Sequence, residues 1–185
     1  MNHSKRILVV DDQEQNRLLL EAILTSLGYE SELVSGGVEA LERLDSSFDL
    51  ILLDILMPDM DGYEVAKRIR DRPDCANIPI IMVTALSSKA DRLNAVAAGA
   101  NDFIAKPIDR MELQTRLQSL LKMKEAQDAL RSSEERYRAI VETASDAIWT
   151  IDLNLNYTYV SPAVSEDLGF TPEEIMAAGA LASLT

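Results

Sequence analysis

Two carboxylates stand side by side at Asp11 and Asp12, directly after the apolar run RILVV (6–10). A third, Asp54, closes DLILLD (49–54), Thr84 falls in IPIIMVTA (78–85), and Lys106 stands in DFIAKP (102–107). Adjacent acids repel, and each costs free energy to strip of water, so such a pair at the end of a buried run needs a cation or a proton close by. Hard oxygen ligands of this kind suit Mg²⁺, which prefers one or two carboxylates, several waters and a phosphate oxygen to an all-protein cage. A carboxylate beside that ion can attack a phosphoryl group as a nucleophile and give an aspartyl phosphate. The ion and a lysine then share the charge on the transferring oxygens, and a threonine hydroxyl supplies a further donor.

These residues must be brought together by the elements that carry them. Up to about residue 121, short apolar runs alternate with segments of helical periodicity, which is βαβα order. The runs are 6–10, the weaker SELVS (31–35), 49–54, 78–85 and 102–107. The first, third and fourth are apolar continuously, as in a parallel sheet covered on both faces. Between them lie helical patterns, two of which end on Gly28 and Gly99, positions suited to a helix stop. The expected fold class is α/β, a (βα)5 doubly wound parallel sheet of flavodoxin-like order 2-1-3-4-5, in which ligands bind beyond the carboxyl ends of the strands. All five candidate residues fall at those ends. Asp54, on the central strand, is the expected nucleophile, and Asp11 and Asp12 are metal-side groups.

Composition narrows the classes. A chain of 185 residues, 47% hydrophobic and 26% charged, can build a core. A formal net charge of -13 opposes binding to nucleic acid or to an anionic membrane surface. Cys75 is the one cysteine and His3 the one histidine, so neither an internal disulfide nor a Cys/His metal site is available. Cys75 itself reads as a packed or exposed thiol. The apolar run before the acids is too short for a signal peptide or a membrane span, so the expected compartment is the cytoplasm. Asp59 and Asp61 read as solvated loop charges, the methionines as core filler, and Trp149 and Tyr159 as core positions.

After the fifth strand a helical pattern starts near Asp109 and continues for more than 30 residues without Gly or Pro. Leu120, Met123, Gln127, Leu130, Glu134, Tyr137 and Val141 alternate steps of three and four, a coiled-coil seam weakened by Gln127 and Glu134. The other reading is a solvated connecting helix. From about 145, DAIWTIDLN and NYTYVS read as two strands around a turn, followed by short helical pieces. A hairpin alone is marginal in water, so residues 145–185 read as the opening part of a second domain.

VVDD, LLDILMPDMDG, MVTA and FIAKP, with 42, 30 and 22 residues from Asp12 to Asp54 to Thr84 to Lys106, together resemble the receiver domain of two-component response regulators, over residues 5–122. The resemblance implies that Asp54 is the phosphoacceptor, charged by a histidine kinase, and that Asp12 is a direct Mg²⁺ ligand. Asp11 would act through a metal-bound water and Leu56 through its backbone carbonyl. It implies a cis peptide at Lys106–Pro107 that aims the ammonium at the phosphate, and a switch in which Thr84 moves toward the phosphoryl group and Phe103 turns inward. Phe103 stands where the family often has Tyr, so this switch would rest on packing alone. Leu56 and Leu86 occupy the two positions that tune phosphoryl lifetime, and neither can orient an attacking water, so slow self-dephosphorylation is expected. A homodimer is expected through the face of helix 4, strand 5 and helix 5, or through the linker helix.

The stretch from about 132 resembles the opening half of a PAS sensory domain, which divides the chain into a receiver (5–122), a helical linker, possible as a coiled coil (123–144), and an incomplete PAS-like segment (145–185). The receiver would then pass its state onward to an output; a sensor or hybrid histidine kinase and a cyclic-dinucleotide synthase are both compatible. A rival enzyme reading, a haloacid-dehalogenase-like phosphatase, needs a general acid two residues after the nucleophile, where this chain has Leu56. A flavodoxin-like module that merely binds would need neither Thr84 nor Lys106.

Overall fold

Continuous apolar runs become fully buried strands. In the computed structural model, which describes residues 4–85, 89–144, 146–154, 156–165 and 169–178, the chain forms two units, Met1–Ala126 and Gln127–Thr185. In the first, β1 (Arg6–Val10), β2 (Glu30–Val34), β3 (Leu50–Asp54), β4 (Ile80–Thr84) and β5 (Asp102–Ala105) pair in parallel in the order β2-β1-β3-β4-β5. Every residue of β3 and β4 is buried. Edge strand β2 is only partly buried, which is why its sequence pattern is the weakest. The fourth strand is shorter than its apolar run. Pro79 has no N–H to give to the ladder and contributes its carbonyl, which accepts from the Ile51 amide at 2.9 Å.

Side chains alternate across the sheet into two cores. Leu8, Val10, Ile51, Leu53, Ile80 and Met82 pack with Val65 and Ile69 of α3 (Gly62–Arg70), with Ala40 of α2 (Gly37–Arg43) and with Ala95 of α4 (Lys89–Ala97). Ile7, Val9, Leu50, Leu52, Ile81 and Val83 face Leu20 and Leu24 of α1 (Glu14–Ser26) and Leu113, Leu117 and Leu121 of α5 (Arg110–Thr143). Gly28 and Gly99 adopt φ of +82° and +92°, the left-handed conformation that closes a helix. Asp109 caps α5 by accepting from the Glu112 amide at 2.8 Å. The single cysteine is buried in the first core.

In the second unit β6 (Trp149–Ile151) and β7 (Tyr157–Val160) form an antiparallel hairpin. Asp152 closes its turn by accepting from the amides of Asn154 and Asn156. Helix α6 (Pro172–Ala178) begins with a reciprocal cap in which the Thr171 amide donates to Glu174 and the Glu174 amide to the Thr171 hydroxyl. Val160, Val164 and Ile175 form its small core. Trp149 departs from the sequence expectation: it is 55% exposed rather than core. All of β6 is exposed, because the two strands and one short helix among the described residues cannot cover both faces of the hairpin. No helix among the described residues is long and apolar enough to cross a membrane.

Candidate functional site

Parallel pairing places the ends of β1, β3, β4 and β5 at one edge of the sheet. Asp11 follows β1, Asp54 and Thr84 are the last residues of β3 and β4, and Lys106 follows β5. Asp11, Asp54 and Thr84 are buried. Lys106 Nζ reaches back over the edge to Asp11 Oδ2 and Asp54 Oδ2, 2.8 Å from each. Carboxylate oxygens of Asp11, Asp12 and Asp54 lie within 4.8 Å of one another, the geometry of a cation site. The Lys106 amide donates to the Thr84 carbonyl at 2.7 Å, which ties the ends of β4 and β5 together. The Lys106–Pro107 peptide is cis.

The adjacent acids are treated differently by their surroundings. Asp11 is saturated: Oδ1 accepts from the Gln13 amide at 2.9 Å and from Asn16 Nδ2 at 3.0 Å, and Oδ2 from Asn16 Nδ2 at 3.0 Å and from Lys106. Arg17 Nη1 donates to the carbonyls of Asp11 at 2.7 Å and Asp12 at 3.0 Å. Asp12 has one carboxylate oxygen, Oδ1, that is buried and without a hydrogen-bond partner. A buried anionic oxygen left in this state is costly, and a divalent cation held with its two neighbours would satisfy it. The residues present therefore fit an oxygen-ligated ion of the Mg²⁺ type. Sequence reasoning passed over Asn16 and Arg17. Their only signal was position, in the first turn of the helix that leaves the acid pair.

Burial pushes the Asp54 carboxyl above its ordinary range; the hydrogen bond and charge of Lys106 oppose this, and the negative Asp11 adds to it. For Lys106 burial works to lower the value, but hydrogen bonds and charges from Asp11 and Asp54 together exceed it and leave the ammonium above its usual value. The ammonium is thus held charged between two carboxylates.

The β3–α3 loop brings a helix start against the nucleophile's own backbone. A Cβ on Gly62 would lie 2.9 Å from Ile55 Cα and closer still to the Asp54 carbonyl oxygen, so only glycine lets α3 begin there. Asp61 is exposed, as expected of a loop charge, but its side chain also caps α3 by accepting from the Glu64 amide at 2.9 Å. Asp59, exposed beside it, has φ of 66°. The Leu56 side chain is 54% exposed at the rim. On β5, Phe103 is half-buried against the first core, with the Arg116 guanidinium 5.9 Å from its ring centroid and paired with Asp102. Leu86 lies outside the described residues.

The profile of the response regulator receiver domain matches residues 7–118. The chain belongs to this family. A second profile, the PAS fold, matches residues 135–178. Among related receivers, the response regulator PleD of Caulobacter vibrioides (strain NA1000 / CB15N) is 44% identical over 132 residues, which cover 71% of this chain and 29% of PleD. Response regulator MprA of Mycobacterium bovis is 39% identical over 135 residues, covering 72% of this chain and 58% of MprA. The chain thus spans less than two thirds of each of these relatives. Two receiver structures are similar. The receiver domain of the sensor histidine kinase PA1611 from Pseudomonas aeruginosa, described with a magnesium ion coordinated in its active site cleft, is 40% identical with a TM-score of 0.59, covering 65% of this chain and 99% of that one. The chemotaxis regulator CheY4 of Vibrio cholerae is 31% identical with a TM-score of 0.59, covering 64% of this chain and 99% of that one. This chain is accordingly a receiver of two-component signalling with an acidic pocket of Asp11, Asp12 and Asp54, followed by a PAS-type segment.

Proposed function

We propose that Asp54 is the phosphoacceptor of a two-component relay. The observation that carries this is the single ammonium, Lys106, bridging buried Asp11 and Asp54 beside the orphaned oxygen of Asp12. An Asp54 Oδ attacks the phosphorus of a phosphohistidine on a histidine kinase; the O–P bond forms, the N–P bond breaks, and the imidazole leaves. Lys106 exchanges a carboxylate contact for one to a phosphoryl oxygen, and the Thr84 hydroxyl donates to another. Mg²⁺, when bound, would be held by Asp12, Asp54 and the Leu56 carbonyl, with Asp11 supporting from further out, and would neutralise charge on the phosphoryl oxygens. Asn16 keeps Asp11 fixed during the exchange.

The phosphorylated state is read by Thr84 moving inward and Phe103 packing behind it. That repacks the face of α4, β5 and α5 and favours a homodimer through this face or through α5 beyond it. The chain is a switch in the cytoplasm, not an enzyme itself, and passes its state through α5 to the PAS segment (145–185) and to an output. The receivers it resembles do not single out an output, so none is assigned. The test is labelling by acetyl phosphate with Mg²⁺. Wild type should take up an acid-stable, base-labile label and shift toward dimer, and Asp54→Ala should do neither. Equal labelling of the variant overturns the assignment, and an oligomer shift in Asp54→Asn equal to that of wild type overturns the switch.

A further inference from the structure

Between residues 122 and 140, α5 is exposed except at Lys124. Large apolar side chains recur there: Met123 is 44% exposed, Leu130 62%, Tyr137 59% and Ile140 61%. The seam read from sequence is the weaker of two registers. Leu120 and Val141 at its two ends are already buried, and Gln127 and Glu134 would put an amide and a charge into the contact. Moving every second position back by one residue gives Met123, Ala126, Leu130, Ser133, Tyr137 and Ile140, still in steps of three and four and without a charge.

The charges agree with this second register. With Met123, Leu130 and Tyr137 as the a positions, Lys124, Arg131 and Arg138 all fall at b, and Asp128, Glu135 and Glu142 all fall at f. Both positions lie away from the seam, and each basic residue has an acidic one four places on, the spacing at which helix neighbours pair. Arg131 Nε and Glu135 Oε1 are 3.0 Å apart. In the flanks, a parallel pair would set Lys122 against Gln127, Ala129 against Glu134 and Arg136 against Val141, so no like charges are forced together.

We infer that α5 pairs in parallel with a second copy of this chain through Met123, Ala126, Leu130, Ser133, Tyr137 and Ile140. A seam of this period is complementary to itself, and small Ala126 and Ser133 between large residues allow close approach. The parallel direction also brings the exposed Met111 of both copies to the same end of the helix pair. The seam deepens the dimer proposed above and rests on it, but not on the chemistry of Asp54.

Single cysteines in the full chain test the register, with wild type as the control for buried Cys75. Ala126→Cys and Ser133→Cys should form disulfide-linked dimers at least about tenfold faster than Gln127→Cys and Glu134→Cys, because a disulfide needs Cα atoms within about 7 Å. Faster linking at 127 and 134, equal rates at all four, or no covalent dimer at any overturns the seam. Leu130→Lys added to Ser133→Cys should abolish the cross-link, and its persistence also overturns the seam. Acetyl phosphate labelling of the same samples keeps the two proposals apart: a failed seam with intact labelling removes the dimer register and leaves the phosphoacceptor standing.

Discussion

At the scale of single residues, the acid pair is asymmetric because α1 supplies a donor, Asn16, to the carboxylate of one member only. Asp12→Ala should abolish Mg²⁺-dependent labelling, whereas Asp11→Ala should weaken it less. Asn16→Ala, which removes one donor from each Asp11 carboxylate oxygen, should raise the Mg²⁺ concentration for half-maximal labelling about tenfold, the scale typical of partners behind a metal ligand. A magnesium titration of each variant decides this. Burial raises Asp54, so folding disfavours its charged form relative to the unfolded chain. Without Mg²⁺ this group's contribution is fully present below the ordinary carboxylate value and is lost as pH rises through its raised folded-state pKa. The raised Lys106 contributes fully below its ordinary value and is lost only as pH rises through the folded one, in the alkaline range. Asp54→Asn should thus melt about 2–4 °C higher than wild type at pH 7 in EDTA. A thermal scan that shows it lower would mean that the Lys106 contact outweighs the burial of the charge.

At the scale of elements, the β3–α3 junction is the most constrained. Gly62→Ala pushes a methyl into the backbone of Asp54 and Ile55, and should cost about 3 kcal/mol in urea unfolding and impair labelling with it. Loss of the α3 cap in Asp61→Ala should cost about 1 kcal/mol and leave labelling intact. The exposed Leu56 offers no group to aim a water, so the aspartyl phosphate should decay slowly; a half-life of seconds in Mg²⁺ contradicts this. These elements show what could be read from sequence. β1, β3 and β4 were legible because burial on both faces leaves continuous apolar runs, and the five site residues because parallel strands must deliver them to one edge. Asn16 and Arg17 were not legible, since their roles come from how the first turn of α1 faces back onto the acids. Asp61 was legible in principle: an acid three residues before Glu64 at a helix start is a cap pattern. Trp149 misled, because an apolar residue in a strand predicts a covered face only where something covers it.

At the scale of the whole chain, two units of unequal core share one long helix. The first has two layers of packed side chains on its sheet, whereas the described residues of the second bury only Val141, Val160, Val164 and Ile175 among their apolar side chains. They should not unfold as one. The sole tryptophan, Trp149, lies on the open face of the hairpin in the second unit. Its fluorescence is therefore a reporter of that unit. Its emission should be red-shifted and readily quenched by acrylamide, and a blue shift would announce any surface that comes to cover β6.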